Sequence, residues 1–213
     1  DPAVNNLYDF WIELNVFGVP YAAHTQVSGC SGRNDVFYGS LDFVTSGTVS
    51  TETYLLPLSM KADFNNYQAG ASDATGTTVK TISFELDQPV YNASFYLITS
   101  NHGANSGGEE YVRRWHYVKF NGTEVLSYRP GGKSCEPYRQ YNTQGNGIYQ
   151  ASPQTEAWWI NWNNWCPGDV IPIRKIGLGN LDAGTHTFEI SVPQAVFNQG
   201  QGNIPLSLYL QGS

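Results

Sequence analysis

Between Ser100 and His116 the chain reads SNHGANSGGEEYVRRWH, which sets two histidines, two adjacent glutamates and two adjacent arginines in one short stretch. A carboxylate in such company can orient or deprotonate water, while a guanidinium or imidazole stabilises the charge that develops. Glu109 and Glu110 are neighbours, so on a strand they point to opposite faces and make no carboxylate pair unless the chain turns there. Ser100, His102 and Glu110 are the residue types of a nucleophile relay, without the sharp strand-to-helix surroundings that expose such a serine. The plainer alternatives are structural. Glu110 beside Arg113 and Arg114 reads as an exposed ion pair worth about 0.2–1 kcal/mol. His102 reads as a loop residue satisfying a backbone group, and His116 as part of an alternating strand. No second His or Cys stands at ligand spacing from His102, so no metal or other cofactor is expected.

A second constellation is AWWINWNNWCPGD, residues 157–169, which holds four of the six tryptophans. If extended, it places Trp158, Ile160, Trp162 and Asn164 on one side and Trp159, Asn161, Asn163 and Trp165 on the other. The four rings therefore do not all enter one core. Trp165, next to Cys166, is expected to pack on a disulfide. Trp158, Trp159 and Trp162, flanked by amides, suit a sugar, which needs an apolar face to stack and partners for its hydroxyls. A wedge of core aromatics or a protein contact is the alternative.

The elements that must position these groups are strands. Ile204, Leu206, Leu208 and Leu210 alternate with polar neighbours in IPLSLYLQ, as do Phe188, Ile190 and Val192 in HTFEISV and Ile82, Phe84 and Leu86 in TISFELDQP. Further strands are expected in FWIELNVFG, DVFYGSLDFV, TYLLPLSM, SFYLITS, RWHYVKFN and IRKIGLG. Asn121-Gly122, between two such runs, predicts a hairpin. No long 3.6-residue periodicity occurs, so helices should be few or absent. The reading is an all-β antiparallel jelly-roll sandwich of about eight to ten strands. Two loops exceed what a sandwich needs, SNHGANSGGEE and the run from RPGGKSCEPY into the tryptophans, and long loops on a rigid scaffold are where function concentrates.

Composition narrows the partners. Charged residues are 14% of the 213, Gly (22) and Tyr (14) are abundant, and the net charge is −7, a balance seen in extracellular β proteins. The absence of a basic footprint argues against nucleic acid. No apolar run is long enough for a membrane span, and the start DPAVNNLYDF lacks signal-peptide regions, so the sequence reads as mature and soluble. Of the three cysteines, Cys135 and Cys166 bracket the long second loop; bridging them contributes about 3 kcal/mol on the chain-entropy model. Cys30 is then a leftover thiol. Asn92 and Asn121 head glycosylation sequons that matter only in a eukaryotic secretory route.

The series SNHGANSGGEEYVRRWHYVKFNG, then SCEPYRQYNTQG, then NWCPGDVIPIRKIGL resembles the C-terminal jelly-roll domain of the peptide-N-glycosidase F family. The resemblance implies that Glu110 takes the family's active-site glutamate, Tyr111 its aromatic neighbour, Arg114 its arginine, His116 its histidine, and Cys135 with Cys166 its disulfide. It implies a secreted, periplasmic or extracellular protein whose partner is an N-linked glycan or glycopeptide, hydrolysed at the N-acetylglucosamine–asparagine bond. Glu110 and Arg114 are then the catalytic candidates, and Trp158, Trp159, Trp162, Tyr111 and His102 the glycan contacts. Three departures stand out. Gly108 and Val112 replace the cysteines that flank the family glutamate, and Trp162 replaces an arginine. The acidic aromatic segment of the family's first jelly roll is missing from residues 1–60. Residues 1–50 are expected to be strands extending this domain or left from a preceding one, with 51–213 the jelly roll and a second jelly-roll domain as partner. A non-catalytic carbohydrate-binding module and a self-associating structural subunit are the other readings.

Overall fold

The computed structural model describes residues 51–142, 148–161, 163–198 and 201–213, with 13–14, 28–29, 31–32, 39–42 and 47. The chain divides into two units, Asp1–Ser50 and Thr51–Ser213. The strands expected in FWIELNVFG and DVFYGSLDFV lie largely outside the described residues, and Cys30 and Trp162 lie wholly outside them.

The described residues of the second unit form eight strands: β1 (Tyr54–Phe64), β2 (Val79–Leu86), β3 (Val90–Thr99), β4 (His116–Phe120), β5 (Thr123–Tyr128), β6 (Arg174–Leu181), β7 (Gly184–Ser191) and β8 (Ile204–Gly212). They make two four-stranded sheets ordered β1-β8-β3-β6 and β2-β7-β4-β5, and every pairing is antiparallel. This is the jelly-roll order, in which successive strands cross between the sheets except at the β4–β5 hairpin. The alternation read from the sequence sets which face is inside. In β8, Ile204, Leu206, Leu208 and Leu210 are buried, and the strand is central, bonded to both β1 and β3. Pro57, which cannot donate to a ladder, sits on the edge strand β1 beside its bulges. Between the sheets Phe95 meets Phe84, Phe120 and Phe188 edge-on at 6.0, 5.6 and 5.5 Å. Asn121 and Gly122 adopt φ of 47° and 79°, as a two-residue hairpin turn requires. The Thr187 N–H donates to Asn121 Oδ1 at 2.9 Å, tying that turn to β7.

The connections differ sharply between the two ends of the sandwich. At one end are the tight turns β2–β3, β4–β5 and β6–β7; at the other lie residues 65–78, 100–115, 129–173 and 192–203. Every long segment therefore emerges on one side. Both constellations singled out in the sequence belong to this loop-bearing end. Among the described residues of this unit, helical structure is limited to a 3₁₀ turn, Glu136–Tyr141, and one short helix, α1, Glu156–Ile160. No described helix is long and apolar enough to cross a membrane.

Candidate functional site

The loop 100–115 is a turn, not the start of a strand, because β4 begins only at His116. Its closure rests on backbone bonds: Gly108 N donates to Asn105 O at 2.7 Å, Glu110 N to Gly103 O at 3.3 Å and Val112 N to Gly108 O at 3.2 Å. Gly103 holds φ 136°, and a Cβ there would meet the Gln201 carbonyl at 2.7 Å. A Cβ on Gly108 would press on the Asn105 side chain at 2.5 Å. These bonds and close contacts fix the loop where the family pattern places a small disulfide.

The turn sends the two glutamates to different environments. Glu109 is fully buried. Its Oε1 accepts Arg114 Nε at 2.7 Å and the Val196 N–H at 2.6 Å. Burial nonetheless pushes its pKa up, against the pull of the Val196 amide and the Arg114 charge. Glu110 is half-buried, with Oε2 at 3.5 Å from the Gly103 N–H. Around it stand two groups named from the sequence. Burial, and then the Glu110 charge, raises the Tyr111 phenol. The edge of His102 reaches solvent, yet desolvation lowers its imidazole while Glu110 opposes the shift; its Nε2 lies 2.8 Å from Ser100 Oγ.

The cystine loop meets this turn directly. Asn164 N donates to Glu110 O at 3.3 Å, and Asn164 Nδ2 donates to the carbonyls of Glu109 and Val112. Trp165 Nε1 donates to Asn101 O at 3.1 Å, and its ring lies 6.1 Å from His102. Arg113 Nη1 reaches Ile160 O at 3.3 Å. Beneath, buried His116 accepts at Nε2 from Asn101 Nδ2 (3.3 Å), donates from Nδ1 to Arg114 O (3.0 Å) and stacks on Tyr128. Desolvation lowers its pKa to about 4, so it is a neutral structural group. Among the described residues no three or more His, Cys, Asp or Glu side chains converge as a metal centre.

Several expectations change. Arg114, expected at the chemistry, has its guanidinium held inside the loop by Glu109 and the Gly107 carbonyl, so it braces the turn. The Cys135–Cys166 bridge is present, with Cα atoms 5.2 Å apart, but the ring packed with it is Trp159, together with Tyr149. Trp165 turns the other way, toward His102. Residues 156–160 are helical, not extended. Thr155 caps that helix by accepting from the Trp158 N–H, with Glu156 in the first turn, a start signal that the sequence did carry. Trp159 is fully buried, donates Nε1 to Glu136 at 3.0 Å and lies edge-on to Trp158 at 4.8 Å. Its faces are not open to a sugar. Trp158 is half-buried in the same cluster. Asn164, Trp165 and the Val196 amide were not foreseen; the last is a backbone group, which no residue type announces.

The family model described as peptide-N-glycosidase F, C terminal, matches residues 66–211. Among solved structures the chain is similar to PNGF-II, at 24% identity and TM-score 0.57 over 78% of this chain and 30% of that one. It is similar to recombinant peptide: N-glycanase F, at 20% identity and TM-score 0.51 over 76% and 53%. A peptide-N(4)-(N-acetyl-β-D-glucosaminyl) asparagine amidase gives 20%, 0.50, 76% and 53%. These likenesses are of fold. The chain spans 30% of the length of the first and 53% of the other two. No curated protein matches it by sequence.

Proposed function

Because the chain belongs to the peptide-N-glycosidase F C-terminal family, we propose that its loop-bearing end receives the N-acetylglucosamine–asparagine end of an N-linked glycan and serves the hydrolysis of that amide. One observation carries the reading: Glu110 stands at the junction of the 100–115 turn and the cystine loop, in the electrostatic reach of His102 and Tyr111. A carboxylate so placed accepts a hydrogen bond from a sugar hydroxyl or amide, or holds a water. Neutral His102 can donate or accept beside it, and Trp165 offers a half-buried ring at the edge. Glu109 supplies no second catalytic carboxylate, since it is buried on Arg114. Amide hydrolysis needs further groups for the tetrahedral charge and the leaving nitrogen, and in this account a second jelly-roll domain brings them. The disulfide suits an oxidising, extracytoplasmic compartment.

The same observation about Glu109 favours one other reading, a glycan-binding module without hydrolytic power. Incubation with an N-glycopeptide separates them. Conversion of the glycosylated asparagine to aspartate, read by mass, marks the amidase; binding without conversion marks the module.

A further inference from the structure

Where the loop-bearing end runs onto the outer face of the β2-β7-β4-β5 sheet, one surface combines exposed aromatic area with positive charge that has no ion-pair partner among the described residues. His116 and Val118 point inward and are buried, so alternation within β4 turns Tyr117 to the outer face of the β2-β7-β4-β5 sheet, and Trp115, the residue just before the strand, lies beside it. Trp115 is 46% exposed, an unusual position for the largest apolar side chain. Its ring lies 6.3 Å from that of Tyr117, with the planes only 27° apart. The residues opposite Tyr117 are Ser127 on β5 and Ser191 on β7. Both neighbours are small and carry hydroxyls, and Tyr117 itself is half-buried. At one end the strip stops at the ion pair of Lys119 and Glu189, 2.9 Å.

At the other end stands Arg129, whose Cζ lies over the Trp115 ring, 6.0 Å from its centroid. Its guanidinium is aimed by a bond from Nη2 to Arg113 O, 3.0 Å. Arg113 itself is bound to the carbonyls of Pro130 and Ile160, and the like charge of Arg129 adds to burial in lowering its pKa. Neither arginine takes part in an ion pair among the described residues. On a chain of net charge −7, a two-arginine spot without a carboxylate is complementary to an anion.

We propose that this face is a second carbohydrate site, in which an acidic pyranose lays its C–H face on Trp115 and Tyr117 and sets its carboxylate on Arg129. Aromatic rings take the apolar face of a sugar, serine hydroxyls bond its hydroxyls, and a planar guanidinium receives a carboxylate in bidentate fashion. An acidic peptide would use the arginine but would leave the paired rings and flanking hydroxyls without their complement. Within the proposed function, on which this assignment of source rests, the acidic sugar is the sialic acid that ends N-linked chains. The platform would then hold a glycan by its outer tip, apart from the linkage end.

Sialyllactose and lactose are the probes, since neither carries the linkage to asparagine; a failure here is therefore distinct from a failure of the Glu110 site. Titration followed by tryptophan fluorescence is expected to show sialyllactose binding at least about tenfold tighter than lactose. Trp115→Ala should weaken sialyllactose about tenfold, and Arg129→Gln should bring it to the lactose value, while binding of a chitobiose-asparagine peptide stays as in the parent. Equal titration of the two sugars, unchanged sialyllactose affinity in both variants, or equal competition by an oligoglutamate peptide overturns the proposal.

Discussion

Two adjacent glutamates with opposite fates define this site at the level of single residues. Glu110 faces outward beside His102, and Glu110→Gln should lower any amidase turnover by about a hundredfold or more while leaving the melting temperature within a degree or so of the parent. Glu109 is different, being fully enclosed with Arg114. Arg114→Ala leaves a buried carboxylate without its counter-charge, which costs about 3–5 kcal/mol and should be read as a fall in the denaturation midpoint. The sign with pH follows from the raised pKa of Glu109. Between its unfolded and folded pKa values the native state binds more protons, so its contribution to stability falls as pH rises through that window. Glu109→Gln should flatten that fall. Which glutamate is buried was not legible from EE alone, because the decision is made by an amide at Val196, far along the chain.

At the scale of elements, the cystine loop is organised around Glu136. Its carboxylate receives Arg139 Nε at 2.5 Å and Nη2 at 2.9 Å, the Gln154 N–H at 2.6 Å and Trp159 Nε1 at 3.0 Å. Those donors, Arg139 first, hold its pKa at about 2. A depressed carboxylate stabilises the fold above its unfolded pKa and loses that contribution as pH falls through the folded value. The acid limb of stability between about pH 4.5 and 2 should therefore be shallower in Glu136→Gln, as measured by thermal melts across that range. Trp159→Ala removes the ring packed on the cystine and should cost about 3–5 kcal/mol. The strands were readable because a period of two is local: Leu206, Leu208 and Leu210 declare their face without reference to anything else, and Asn121-Gly122 declares its turn. The tryptophans were not, since a single helical turn capped by Thr155 replaces alternation with a 3.6 period and moves Trp159 inside. Trp165 is at the site because its indole N–H finds the carbonyl of Asn101, a pairing across loops that spacing cannot encode.

For the molecule as a whole, the jelly-roll order gathers every long connection at one end of the sandwich, so turn and cystine loop meet there as a consequence of topology. The chain covers about half of the length of the amidase chains to which it is similar in fold. Under the proposed function, hydrolysis depends on a second jelly-roll domain and glycan recognition resides in residues 51–213. Calorimetric titration of a chitobiose-asparagine glycopeptide into the protein and into Glu110→Gln measures that directly. Binding is expected to weaken at least about tenfold in the variant. No binding to the parent chain, or the same affinity in both, would contradict it.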